Sequence, residues 1–188
     1  IGNETDSGFL WNYGRVWDDF SNNWVNYAGL ISEAIRAIRE VDTQNTVQIM
    51  LHHSNVENAI YLFNKLQPYN LDFDVIGLSY YPQFHTQYLN LVASKLNELA
   101  TTFNKDILMA EVAYPFTLQW NDNQANFIGT LDQTLEEFLP TPQGQKAYFE
   151  WLVTTIKNIP NNRGIGFCYW APDWVAFNGN ENTSTNGT

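Results

Sequence analysis

Helical and extended stretches alternate along this chain, and that rhythm restricts the folds open to it more than any other feature. Trp24, Ala28, Ile31, Ile35, Ile38 and Val41 recur at helical spacing, predicting an amphipathic helix over residues 21–40. Residues 47–51 follow as a short apolar strand running into His52 and His53. Val56, Ile60, Phe63 and Leu66 mark a second helix, and residues 73–81 a second strand that Pro82 stops. Leu89, Val92, Leu96, Leu99 and Phe103 outline a third helix, after which residues 107–110 form a strand that delivers Glu111. Thr141 and Pro142 open a fourth helix reaching about Lys157, with Thr as N-cap and Pro in the first turn. Residues 164–170 are the last strand.

Such alternation implies parallel β-α units. Polar and aromatic residues gather where the strands end: His52, Tyr80 and Tyr81, Glu111, and Trp170. In a (β/α)8 TIM barrel that face carries the active site. The count of strands is four, plus a stub of a fifth ending at Glu4, where a barrel needs eight. The expected architecture is therefore α/β, the C-terminal half of a barrel from the end of strand 4 to strand 8. Residues 1–177 read as a partial catalytic domain, and 178–188, rich in Asn, Thr, Ser and Gly, as disordered or an unfinished loop. The polar stretch 117–139 interrupts the rhythm, and loops of that length are usually functional or disordered.

Composition narrows the partners. A net charge of −11 speaks against nucleic acid and anionic membranes and for a neutral substrate. Seven Trp and ten Tyr supply flat faces on which sugar rings stack. No apolar run approaches the roughly 20 residues needed to span a bilayer. Cys168, the only cysteine, excludes an internal disulfide and is expected to be a buried structural thiol inside an apolar run.

Two acidic segments carry the chemistry. Gly2-Asn3-Glu4 and Ala110-Glu111-Val112-Ala113-Tyr114-Pro115 each put a carboxylate where a predicted strand meets a loop. Glycoside hydrolysis uses two carboxyl groups, one as acid/base and one as nucleophile or base. An Asn before the first Glu adds an amide suited to a sugar hydroxyl.

These segments, with Gly8-Phe9-Leu10-Trp11, the run from Asp74 to Pro82, Gly144-Gln145, Gly166-Phe167-Cys168-Tyr169-Trp170 and Pro172, resemble glycoside hydrolase family 53. The motifs recur in order over nearly the whole chain. The resemblance implies a retaining endo-β-1,4-galactanase that cuts galactan or arabinogalactan side chains of pectin, with Glu4 as acid/base and Glu111 as nucleophile. It implies that Asn3 holds the sugar 2-hydroxyl. Among the other strand-end residues, His52 and His85 are expected to bind substrate or orient a glutamate. One of Tyr80 and Tyr81 donates to the nucleophile while the other is core; both are counted as substrate-binding candidates. Trp170 is the expected floor under the sugar, and Trp11, Trp120 and Trp174 candidates to extend the cleft by stacking.

No cofactor is required for such catalysis. Some bacterial relatives hold a structural calcium in the loop after the nucleophile; here Asp122, Gln124 and Asn126 have alternating spacing but only one carboxylate, and a solvated loop is the preferred reading. The family tends to have Trp-Glu-Pro where this chain has Trp170-Ala171-Pro172, and Trp-His-Gly where it has Phe84-His85-Thr86. These departures keep two alternatives open: a hydrolase of the same clan acting on mannan, xylan or β-glucan, and a non-catalytic galactan-binding protein. The expected partners are the polysaccharide and the N-terminal half of the same barrel, with missing strands preceding Ile1. The substrate class implies an extracellular or periplasmic location.

Overall fold

Four parallel strands wrapped by helices form the body of the protein, seen in a computed structural model that describes residues 1–17, 23–120, 123 and 125–172. In chain order, a short antiparallel hairpin of β1 (Gly8–Phe9) and β2 (Gly14–Arg15) leads to α1 (Trp24–Val41) and β3 (Met50–His53). Then come α2 (Ala59–Leu66), β4 (Val75–Tyr80), α3 (Leu89–Phe103), β5 (Asp106–Val112), α4 (Pro142–Lys157) and β6 (Gly164–Tyr169). The sheet order β3-β4-β5-β6 follows the sequence without a skipped neighbour. This is a partial (β/α)8 barrel: each strand returns through a helix to pair with the strand before it.

The helices form where their apolar stripes meet the sheet. Tyr27, Ala28, Ile31 and Ile35 are the buried face of α1, and Val92, Leu96, Leu99 and Ala100 that of α3. Thr141 caps α4 by accepting from Gly144 N–H at 3.0 Å, with Pro142 at the first turn. Every residue of β4 is buried, as befits a strand with a neighbour on each side and layers on both faces.

Several expectations need correction. No strand stub ends at Glu4. Ile1 makes one bond to β3, its amino group donating to Met50 O at 2.7 Å, but Gly2 and Glu4 take φ of 72° and 45°, which break an extended path. β3 starts at Met50 rather than residue 47, because the Asp42 carboxylate accepts from the N–H groups of Thr46 and Val47 and holds that segment as a turn. Val41 ends α1 almost fully exposed instead of continuing its buried stripe. Cys168 is exposed, not buried: α4 covers β6 on the face of Phe167 and Tyr169, which pack on Phe149, and Cys168 points the other way. The hairpin β1–β2 has no counterpart in the sequence reading. The predicted tail 178–188 and residues 21 and 22 of the predicted 21–40 helix lie outside the described residues. Among the described residues no helix is long and apolar enough to cross a membrane.

One irregularity matters for the site. Leu78 of β4 pairs with Met109 of β5, but the next residue, Ser79, pairs with Glu111, so Ala110 is an extra residue bulged out of the ladder. The bulge brings Glu111 level with Ser79.

Candidate functional site

At the C-terminal ends of the strands lies a cleft of about 240 Å³ lined by Glu4, Ser54, Tyr81, Phe84, His85, Glu111, Phe127 and Trp170. Glu4 arrives on the turn that precedes the hairpin. Its left-handed backbone is anchored by the next residue, Thr5, whose hydroxyl is bonded to Tyr27 OH at 2.8 Å and donates to His52 O at 3.4 Å. Burial pushes the Tyr27 phenol up to about 12, so it stays protonated. Glu111 arrives on β5. One oxygen of Glu4, one of Glu111 and a ring nitrogen of His52 all lie within 4.8 Å of one another.

Each carboxylate has its own hydroxyl donor. Tyr81 OH donates to Glu111 Oε2 at 2.8 Å, and burial, reinforced by that bond, holds the phenol far above its usual range. Ser79 Oγ donates to Glu4 Oε1 at 2.6 Å and is bonded to His52 Nε2 at 2.9 Å. A serine has one proton to give. With that proton on Glu4, Ser79 accepts from His52, which is therefore the Nε2–H tautomer. Burial lowers the His52 pKa against the pull of Glu111 and Glu4, consistent with a neutral ring. The Nε2 atom of His52 is thus committed to Ser79.

The remaining walls are aromatic. Trp170 N–H donates to Val112 O at 2.9 Å, which fixes the end of β6 against β5. Its ring meets Tyr81 edge-on at 5.9 Å and Phe127 at 6.1 Å, and Phe127 in turn meets Phe84 at 5.6 Å. His85 accepts from Tyr81 N–H through Nδ1 at 3.0 Å, so its own ring proton sits on Nε2; burial lowers its pKa as well.

The exit of β5 is braced from α4 and the long loop. Gln145 donates to Tyr114 O at 2.7 Å, and Tyr114 OH accepts from Leu135 N–H at 3.0 Å. Tyr114 also stacks on Tyr148 with ring centres 4.4 Å apart. Gly144 is required there, since a Cβ on it would lie 1.8 Å from Leu139 O.

Of the residues singled out in the sequence, Glu4, Glu111, Tyr81, His85 and Trp170 come together in the cleft. Tyr80 does not: its side chain is fully buried, donates to Thr86 O at 3.0 Å and packs on Trp151, because adjacent strand residues face opposite sides. It is core, not substrate-binding. His52 is buried beneath the site and touches Glu4 through Ser79 instead of facing the cleft. Asn3 is exposed beside Glu4 and outside the cleft lining. Trp11 and Trp120 are exposed and do not line it either. Trp174, Asp122 and Gln124 lie outside the described residues, while Asn126 donates its amide to Gln119 O at 3.1 Å. Ser79, Ser54 and Phe127 were not singled out from sequence. For Ser79 a signal existed, since it shares strand parity with Tyr81.

The sequence model of glycosyl hydrolase family 53 matches residues 1–188. The arabinogalactan endo-beta-1,4-galactanase of Cellvibrio japonicus is 33% identical over 182 residues, 94% of this chain and 46% of that protein. The endo-beta-1,4-galactanase of Bacillus subtilis is 31% identical over 181 residues, 93% of this chain and 38% of that protein. Among solved structures, the GH53 catalytic domain of Ignisphaera aggregans matches with a TM-score of 0.84 at 29% identity, covering 94% of this chain and 48% of that one. The chain spans about half the length of the curated relatives it matches.

Proposed function

The chain belongs to glycosyl hydrolase family 53, and from that premise we propose that it carries the catalytic carboxyl pair of a retaining endo-hydrolase of β-1,4-linked galactan. The substrate is taken from the galactanases it resembles. Galactan or arabinogalactan side chains of pectin are the polymers we assign to it, met outside the cell or in the periplasm. The whole protein completes the barrel with its N-terminal half.

The observation that carries the mechanism is the approach of Glu4 and Glu111 oxygens to within 4.8 Å. Retaining enzymes hold their carboxyl groups about 5–5.5 Å apart, whereas inverting ones leave about 6.5–9.5 Å for a water. In the first step a Glu111 oxygen attacks the anomeric carbon as Glu4 gives its proton to the departing glycosidic oxygen. In the second, Glu4 takes a proton from water, the water oxygen bonds to the anomeric carbon, and Glu111 is released. Ser79 occupies Glu4 Oε1, so Oε2 is the oxygen that carries the proton. Tyr81 occupies Glu111 Oε2, leaving Oε1 to attack. Trp170 and Phe127 give the sugar ring an aromatic wall.

The test is reducing-sugar release by the protein containing this chain from linear β-1,4-galactan, beside mannan, xylan and β-glucan, with the anomer of the first product followed by NMR. Release from galactan with β-product supports the proposal. Turnover of another glycan moves the substrate, α-product removes the double displacement, and binding of galactan without release leaves a binding protein.

A further inference from the structure

Glu4 is tied to His52 by two routes. Along the backbone, the hydroxyl of Thr5, the residue after Glu4, donates to His52 O at 3.4 Å. Through the side chains, Ser79 Oγ lies 2.6 Å from Glu4 Oε1 and 2.9 Å from His52 Nε2. His52 is 4% exposed and Ser79 fully buried, so water has little access to this second route. His52 is absent from the lining of the cleft, and whatever it does for the reaction it does through Ser79.

A row of three such groups has two self-consistent directions. In one, His52 Nε2–H donates to Ser79 and Ser79 donates to Glu4 Oε1, which leaves an acid proton on Glu4 to Oε2. In the other, a proton on Oε1 is given to Ser79, and Ser79 donates to an unprotonated His52 Nε2. The acid proton is then held by a buried serine instead of facing the leaving group. Only the first direction survives once Glu4 has given its proton away, because an ionised carboxylate 2.6 Å from Ser79 Oγ must meet a proton and not a lone pair. Changing direction requires His52 to move its proton from one ring nitrogen to the other, and a buried ring exchanges protons with solvent poorly. The direction that the ionised state demands is therefore carried into the protonated state.

Resting on the galactanase reading, we infer that His52 is a positioning residue for acid catalysis: its Nε2–H sets the direction of the Ser79 hydroxyl and so reserves Glu4 Oε2 for the proton delivered to the leaving group. His52 neither gains nor loses a proton in the cycle. Its N–H also polarises the serine hydroxyl, which strengthens the bond to Glu4 as charge develops there.

The direction is read without turnover from the ring nitrogens of His52, by long-range proton–nitrogen NMR of the nitrogen-15-labelled complete protein at neutral pH. A proton on Nε2 and none on Nδ1 is expected; a proton on Nδ1 overturns the inference. For the reaction, His52→Phe keeps a flat ring and removes the donor, whereas His52→Gln can aim an amide N–H at Ser79. In His52→Phe, kcat/KM should fall about tenfold on β-1,4-galactan and about twofold or less on a dinitrophenyl galactobioside, whose leaving group needs little acid help. His52→Gln should recover most of the loss. Equal losses on both substrates, or no recovery with Gln, overturn the inference by making His52 a support of the fold. An unmodified protein with no turnover of β-1,4-galactan removes the functional reading, and the NMR result still decides the direction of the hydrogen bonds.

Discussion

Replacing Ser79 by alanine separates acid catalysis from everything else the site does. The serine is fully buried, and its hydroxyl is the donor to Glu4 Oε1 at 2.6 Å. When Glu4 surrenders its proton to the leaving group, negative charge develops on that carboxyl, and the bond from Ser79 strengthens as it does so. An interaction that is stronger in the transition state than in the ground state lowers the barrier. A hydrogen bond to a charged group is worth about 1.5–3 kcal/mol, so its loss should cost roughly ten- to a hundredfold in kcat. The cost should scale with the need for an acid. Galactan and poor aryl leaving groups should show it in full, and a dinitrophenyl galactobioside should show little, with Glu4→Ala marking the limit of the same trend. The substitution also strips His52 Nε2–H of its acceptor, which costs about 1–3 kcal/mol of stability and is read separately in a denaturant titration. A loss of the same size for every leaving group would refute the reasoning, because it would make Ser79 a support of the fold or of Glu111 and not of the acid.

Three further outcomes follow from the same geometry. Glu111→Ala should abolish turnover, and added azide should restore part of it with inverted product, detected by NMR of the glycosyl azide; rescue with retention would contradict its role as nucleophile. His52, His53 and His85 all have pKa values lowered by burial, so the unfolded chain binds more protons than the native one below the ordinary histidine value of about 6.5. Their contribution to stability is therefore complete above that pH and declines as pH falls through the native values; a denaturation midpoint that held level or rose on acidification would count against three neutral buried rings. Gly144→Ala forces a Cβ to 1.8 Å from Leu139 O and should destabilise by about 1–3 kcal/mol or more, measured as a lower denaturant midpoint, while the same change at Gly29, where the Cβ meets nothing within 4 Å, should not.

Much of this was visible in the sequence because it is periodic. The apolar spacing of Leu89 to Phe103 coincides with α3 at both ends, and the Thr141-Pro142 pair marks the start of α4 by capping chemistry that needs no tertiary contact. Glu111 stood out because a carboxylate directly after an apolar run has few structural uses. What escaped detection depends on neighbours distant in sequence. Choosing between Tyr80 and Tyr81 requires knowing which face of β4 meets the helices, and two adjacent tyrosines carry the same local signal. Ser79 is chemically ordinary until His52, from β3, and Glu4, from 75 residues away, close on it. Val47 fits an apolar strand equally well, and only the Asp42 carboxylate folding back on it shows otherwise. Cys168 sits in an apolar run, but its burial is decided by which face of β6 a helix covers.

The bulge at Ala110 gives this site a dependence on counting as well as on chemistry. Before it, Ile107 and Met109 are level with Ile76 and Leu78 on the helix side of the sheet; after it, Glu111 is level with Ser79 on the opposite side. Straight pairing would carry Glu111 to the same side as Met109, buried beneath helices and remote from Glu4. Removing Ala110 would abolish the bulge yet leave Glu111 opposite Ser79, because Met109 and Glu111 would then be consecutive and face opposite sides of an unbroken ladder. Substitution scans are blind to such a feature. Only insertions and deletions probe it: loss of Ala110 should spare the place of Glu111 opposite Ser79, whereas a residue added before Glu111 would have to be bulged out as well to keep it there.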